Sequence, residues 1–223
     1  MTLFGGASRT RKRCSYDRLA KIRPTGHIAR MKHGSTRDHL LATGLRVMHA
    51  QGFNATGVQD ITQAAGVPKG SFYNHFDSKE GFGAEVLGRF WEDRTARALN
   101  VLSDESLTPL ARLKAYFAAK ARAEPTKTFD RGCMIGNFSA EMAGQSRLVR
   151  DRLSAVYAAW TRLLAACIAE AQAAGEIRNS ADPEALAAFL IDAFEGAVLR
   201  TKVDQDGRAL ARFEQLIFDS ILS

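Results

Sequence analysis

From Thr36 onward apolar residues recur at three- and four-residue intervals, the spacing of amphipathic helices, and runs of strict apolar/polar alternation are hard to find. The pattern predicts a first helix capped by Thr36, with Leu40, Leu41, Leu45, Val47 and Met48 as its apolar positions; Gly52 ends it after Gln51 and Phe53 packs back. A short second helix follows from about Val58 to Ala65, with Thr56 or Gly57 at its cap, Ile61, Ala64 and Ala65 inward, and Gly66 as its stop. Pro68, whose missing N–H costs nothing in a first turn, suits a third helix over Lys69–His75. Two short helices joined by a tight glycine-containing turn make a helix-turn-helix.

Asp77 and Glu80 have the spacing of a capping box, so a long fourth helix starts at Ser78, runs to about Leu102 and connects two domains. Thr108-Pro109 opens a fifth helix through about Ala123, Glu124–Arg131 reads as a loop, and a sixth helix covers about Cys133–Ala143. Residues 146–174 form an alanine-rich helix with Leu148, Leu153, Val156, Trp160, Leu163, Leu164 and Cys167 on or near one side. Asp182-Pro183-Glu184 starts the eighth, carrying Leu186, Phe189, Leu190, Ala193, Phe194 and Ala197, and a last helix after Gly207 carries Leu210, Phe213, Leu216, Ile217 and Ile221. These two either pair with their copies from a second chain in a four-helix bundle or complete the core of one chain. The fold class is all-α: a three-helix helix-turn-helix domain over 36–80, then a helical ligand-binding and dimerisation domain over 81–223.

Composition sharpens this in two places. Arg9, Arg11, Lys12, Arg13, Arg18, Lys21, Arg23, Arg30 and Lys32 face one acid, Asp17, so the net charge of +7 belongs to a basic arm over residues 1–35. Such an arm either binds nucleic acid or stays solvated and disordered, and Met31 offers an alternative start. Cys14, Cys133 and Cys167 are odd in number and far apart, which suggests neither disulfides nor a zinc site, and fits a reducing cytoplasm. No apolar stretch approaches the roughly 20 residues of a membrane span.

Residues 53–82, FNATGVQDITQAAGVPKGSFYNHFDSKEGF, resemble the TetR family signature at nearly every position. The physical logic runs in parallel: a helix starting at Pro68 points free N–H groups outward and can enter a major groove, with Phe72 and Phe76 as inward anchors. The resemblance implies Lys69, Ser71, Tyr73, Asn74 and His75 at the DNA, with Gly70 keeping the backbone accessible, Thr56 and Gln59 near the backbone, and Lys79 on a phosphate. Arg37 is a further phosphate candidate. The segment 37–80 nonetheless balances four basic side chains against four acids. Affinity then leans on helix N-termini, dimerisation and the arm.

RGCMIGNFSAEMA, residues 131–143, is similar to a TetR subgroup of electrophile-responsive (NemR-type) and acrylate-responsive (AcuR-type) repressors. Cys133 at a helix start is placed for a lowered thiol pKa and a reactive thiolate, or else it is a small buried hydrophobe. Asn137 and Glu141 follow on the same face. The resemblance implies an inducer pocket, with Trp91, Phe117, Cys133, Asn137, Phe138, Trp160, Phe194 and Lys202 as lining candidates and Lys202 or Arg200 facing a carboxylate.

No HExxH, P-loop or GxSxG is present, and Gly81-x-Gly83 lacks a third glycine and a strand before it, so no enzyme, cofactor or metal is expected. The sequence reads as a homodimeric cytoplasmic repressor that binds double-stranded operator DNA and is released by a small-molecule inducer, a reactive electrophile or a small unsaturated acid. An architectural DNA-binding protein is the alternative, and an activator is a variant of the first reading.

Overall fold

The computed structural model describes residues 35–123 and 129–223; the basic arm and most of the Glu124–Arg131 segment lie outside them. Among the described residues there are nine α-helices and no strand: α1 (Thr36–Gln51), α2 (Val58–Ala64), α3 (Lys69–Tyr73), α4 (Lys79–Leu102), α5 (Pro109–Ala123), α6 (Met134–Met142), α7 (Arg147–Ala173), α8 (Pro183–Asp204) and α9 (Arg208–Leu216). A single π turn, Ile217–Ile221, extends α9.

Several caps differ from the sequence expectation by one position. Ser35, not Thr36, caps α1 by accepting from the Asp38 N–H at 3.2 Å. At α2 the cap is Gly57, one of the two residues expected there, its N–H donating to Asp60 at 2.7 Å, while Thr56 is turned inward. At α4 the cap is Ser78, whose hydroxyl accepts from the Gly81 N–H at 3.0 Å; the expected Asp77–Glu80 box is replaced by this simpler bond. The third helix ends at Tyr73, two residues early, because Asn74 already serves as its C-cap. Asp182 does cap α8, accepting from Ala185 N–H at 3.0 Å with Pro183 in the first turn.

Helix α4 belongs to both halves of the chain, and the described residues fall in one compact unit. Its first half buries Phe82, Val86 and Leu87 against α1, and its second half buries Ala98 and Leu102. Around it, Trp160, Leu164 and Ile168 of α7 meet Leu190, Ile191 and Phe194 of α8, and Phe117 of α5 touches both Phe194 and Phe213, at 5.6 and 5.1 Å. Arg112 is buried yet fully engaged: its guanidinium donates to the Asp104 and Leu107 carbonyls and pairs with Glu170 at 3.0 Å, pinning the α4–α5 turn to α7.

Four residues expected on inner faces point outward, and of these Ala64, near the end of α2, is exposed. Leu148, Phe189 and Leu216 are each about half exposed, Leu148 beside the completely buried Val149. The expectation that no segment has the length and hydropathy of a membrane span also needs correction, since α7 passes that test. Its alanines raise the mean hydropathy, and its larger apolar residues, from Val149 to Ile168, are packed in the core.

Gly44 is the tightest approach in the helix-turn-helix half. A Cβ there would lie 2.2 Å from the Phe82 ring, which is itself completely buried. Gly44→Ala should therefore destabilise the protein through overpacking, by about 1–3 kcal/mol. For a chain of this size that lowers the unfolding midpoint by roughly 2–10 °C, measurable by thermal circular dichroism.

Candidate DNA-binding face and sensor site

The recognition segment is held from beneath by three aromatic rings. Phe72 and Phe76 of the α3 region meet Phe82 of α4 at centroid distances of 5.1 and 4.8 Å, and all three are buried. This leaves Lys69, Gly70, Tyr73, Asn74 and His75 exposed on one outer side, with Ser71 half-buried and Gln59 exposed on α2. Tyr73, 54% exposed, is the largest aromatic in the described residues left in solvent.

Three expected DNA residues are placed differently. Thr56 is completely buried and its hydroxyl donates to the Gly52 carbonyl at 2.6 Å, so it stabilises the α1–α2 turn. Arg37 is paired with Glu85 of α4 and lies 5.1 Å from the Phe76 ring. Lys79 sits over the Phe53 ring at 4.4 Å. Both cations are half-exposed and already have intramolecular partners, which any phosphate must outbid.

Phe53 in turn packs edge-on against Phe138 of α6 at 5.5 Å. Helix α6 touches the helix-turn-helix at both ends. At its entrance the Gly132 carbonyl lies 2.9 Å from His49 Nε2 on α1, a bond that requires the Nε2–H form of the ring. Toward its end Glu141 accepts from the Asn54 N–H at 2.7 Å. Gly52, at φ +88°, makes room for this carboxylate: a Cβ there would stand 2.6 Å from Glu141 Oε1 and adopt a disfavoured backbone. Glu141 was expected on the Cys133 face; it serves the opposite domain.

The residue at the start of α6 is Cys133, at the N-cap position as the sequence suggested. Of the two readings open for it, a reactive thiolate or a small buried hydrophobe, its burial agrees with the second. Burial pushes the thiol up to about 12, and the nearby Glu195 carboxylate pushes in the same direction. The Lys120 ammonium and the Gly136 N–H act the other way, the latter being the helix-start effect, and they lose to burial. The group around it was only partly visible in sequence. Glu195 of α8 lies so close to α6 that a Cβ on Gly136 would stand 2.5 Å from its Oε2. Tyr157 meets Ser139 Oγ at 3.2 Å, and its phenol is pushed up to about 12, first by burial. Tyr116 is buried and its phenol is raised for the same reason. Lys120 Nζ stands 4.0 Å over Trp160 and 5.2 Å over Phe194. Lys120, Glu195, Tyr116 and Tyr157 all escaped sequence reasoning; the polar residues among apolar stripes of α5, α7 and α8 were the signal available.

Of the expected lining residues, Trp91 borders a cleft between α4 and α5, and Trp160 lies behind it at 5.9 Å. Phe117 and Phe194 belong to the packed aromatic cluster with Phe213. Phe138 faces Phe53. Asn137 donates to the Arg131 carbonyl at 2.7 Å and accepts from Lys202 at 3.4 Å, so Lys202 braces the α6 entrance, and Arg200 is tied to Asp204 at 2.7 Å on the surface. Cys167, in mid-α7, donates to the Pro109 carbonyl at 3.3 Å, as a core residue would.

With burial holding its pKa far above neutrality, the Cys133 thiol stays protonated at pH 7. Native protein treated with a maleimide at pH 7 should therefore leave Cys133 unmodified until the chain is unfolded, read by peptide mapping; labelling of Cys133 in the native state as fast as in the unfolded chain would overturn this. The linkage has a definite sign. A thiol raised from 9.0 to about 12 in the folded state stabilises below pH 9, and that contribution is lost as pH rises from 9 through about 12.

Residues 40–86 match the family described as "Bacterial regulatory proteins, tetR family", and residues 109–217 match "Tetracyclin repressor-like, C-terminal domain". The chain is 42% identical over 193 residues to the HTH-type transcriptional repressor DhaR of Mycobacterium sp. strain GP1, covering 86% of this chain and 95% of that protein. It is 37% identical over 166 residues to the transcriptional regulator AcuR of Cereibacter sphaeroides, covering 74% and 75%. The crystal structure of Escherichia coli NemR in its reduced form superposes with a TM-score of 0.75 at 27% identity, over 82% of this chain and 96% of that one. The exposed α3 side carried on buried aromatics, the all-helical half behind it, and these likenesses over most of both chains agree: the protein belongs to the TetR family of DNA-binding transcriptional regulators.

Proposed function

We propose that the protein is a ligand-responsive repressor that binds a palindromic operator as a homodimer in the cytoplasm and is released by a small molecule held in its C-terminal half. The observation that carries this is the exposed side of α3, where Lys69, Gly70, Tyr73, Asn74 and His75 stand clear of the fold on an aromatic base. A helix presented in this way meets base edges and phosphates in a major groove, with Gln59 alongside and Ser71 at its margin. Arg37 and Lys79 join once phosphates displace Glu85 and the Phe53 ring.

A second copy is the partner that fits α8 and α9. Phe189, Leu199, Val203 and Leu216 are all about half exposed or more, and a groove of about 370 Å³ runs between Ala193, Gly196 and Ala197 on one helix and Phe213 and Ile217 on the other. The small residues let a second helix approach closely, and a two-fold bundle would place two α3 helices on successive grooves about 34 Å apart. An architectural role would leave the α6 contacts to the helix-turn-helix without a purpose.

Transmission runs through α6. Its entrance lies at the Cys133–Glu195–Lys120 group, and its body holds the α1–α2 turn through Gly132, Phe138 and Glu141. A ligand that shifts this helix biases the α3 orientation, a population shift between a DNA-matched and an unmatched dimer. The protonated, buried state of Cys133 favours a noncovalent ligand over an electrophile captured by thiolate.

Lys69→Ala and Tyr73→Ala should each weaken binding to a selected operator by roughly 5- to 150-fold, the equivalent of about 1–3 kcal/mol, with helicity unchanged. Wild-type affinity in both would remove α3 from the interface. Leu216→Glu places a charge on an already exposed site, so the monomer should stay folded while sedimentation shows loss of the dimer and operator affinity falls with it. Glu141→Ala breaks a partly exposed bond, and is expected to lower stability by less than about 1 kcal/mol. It should still change operator affinity several-fold; an unchanged operator titration would exclude this contact from the transmission route.

A further inference from the structure

We propose that the cleft between α4 and α5 binds a small organic anion, with Arg94 taking its charge and Trp91, Tyr116 and Ile135 taking its apolar body. This rests on the ligand-responsive reading above and names the class of ligand. The cleft has a volume of about 100 Å³, and its walls are aromatic and aliphatic side chains together with three cations, Arg94, Arg97 and Lys120, and no acid.

The three cations are not equivalent. Arg97 pairs with Asp93 at 2.9 Å, and both are well exposed. Lys120 is deeper, its ammonium over Trp160, Phe194 and Tyr116 and within electrostatic reach of Cys133. Arg94 is half-buried, rests 4.9 Å from the Phe90 ring, and makes no ion pair among the described residues. A guanidinium supported on a ring keeps in-plane N–H donors that match a planar carboxylate.

Electrostatics then selects the ligand. A cationic ligand would meet the like charge of Arg94, and a neutral apolar one would take water away from Arg94 without supplying an acceptor. An anion removes both penalties. Asp93, on the same helix as Arg94, is held by Arg97. Ile135, on the first turn of α6, lines the inner end of the cleft, so an occupant touches the helix that holds the α1–α2 turn.

Trp91 and Trp160 are the two tryptophans of the chain, so intrinsic fluorescence reports directly on this cleft. The full chain is titrated at constant ionic strength with sodium benzoate and sodium butyrate, and with the matched neutral benzamide and butyramide; release of a DNA fragment selected from a random pool is followed in parallel. The acids should bind at least about tenfold more tightly than the amides, and Arg94→Gln should remove at least about tenfold of that affinity, whereas Arg97→Gln should cost less than about threefold. Equal binding of acid and amide, no fluorescence response to either acid up to about 10 mM, or unchanged acid affinity in Arg94→Gln would each overturn the anion site. The acid–amide comparison uses unaltered protein and stands even if a variant misfolds. Acids that bind while DNA affinity stays constant would keep the anion site and overturn the sensor reading. Amides that bind equally and release DNA would do the reverse.

Discussion

The short helix α3 keeps its orientation because Phe72 and Phe76 are clamped on Phe82, and Phe82 fits only because position 44 of α1 is glycine. Five helical residues have no independent stability, since nucleating a helix costs more than one turn of hydrogen bonds returns. Every feature of the DNA-facing side follows from that aromatic base: Tyr73 is in solvent because its neighbour Phe72 is not. Phe82 is also on the first turn of α4, so the same contact that orients α3 fixes the helix that continues into the C-terminal half.

Helix α6 makes the second connection between the halves, and its chemistry differs from the first. The α4 junction has a close-packed apolar centre, with the Arg37–Glu85 and Asp38–Arg89 ion pairs at its edge, and it resists graded change. The α6 junction is polar at both ends, one carboxylate on a backbone N–H and one imidazole on a carbonyl, with a single edge-on ring pair between. Bonds of this kind at a partly exposed site contribute about 1 kcal/mol each and can be exchanged for water. The two connections therefore differ in kind, one fixed by packing and the other by bonds that water can replace.

Within the sensor half the burial of titratable groups sets the chemistry. Cys133, Tyr116 and Tyr157 are all held protonated by desolvation, and Glu195 adds like-charge repulsion to the first two and to Tyr157. The interior beside α6 is therefore a set of hydrogen-bond donors with one resident carboxylate, and the accessible positive charge lies toward the α4–α5 cleft. Nucleophilic chemistry at Cys133 is disfavoured in this state because burial, with Glu195 beside it, holds the thiol protonated.

Much of the architecture is local, and the sequence by itself determined it. Helix spans follow from periodic apolar positions and from stops at Gly52, Gly66 and Gly175, whose positive φ angles only glycine adopts readily. The PKGSFY segment and its exposed side are equally local, because a helix turn decides which residues share a face. Caps shifted by one residue wherever two hydroxyl or carboxyl side chains competed, as with Ser35 and Thr36 or Asp77 and Ser78, since the choice depends on backbone angles that the sequence leaves open. What only the tertiary structure decided involves residues distant in the chain: Thr56 turned inward onto Gly52, Lys79 and Arg37 taken up by Phe53 and Glu85, Glu141 reaching across to Asn54, and the Cys133 thiol raised by burial beside Glu195. Local hydrogen bonding is written in neighbouring residues, whereas desolvation and charge proximity depend on which helices the packed core brings together.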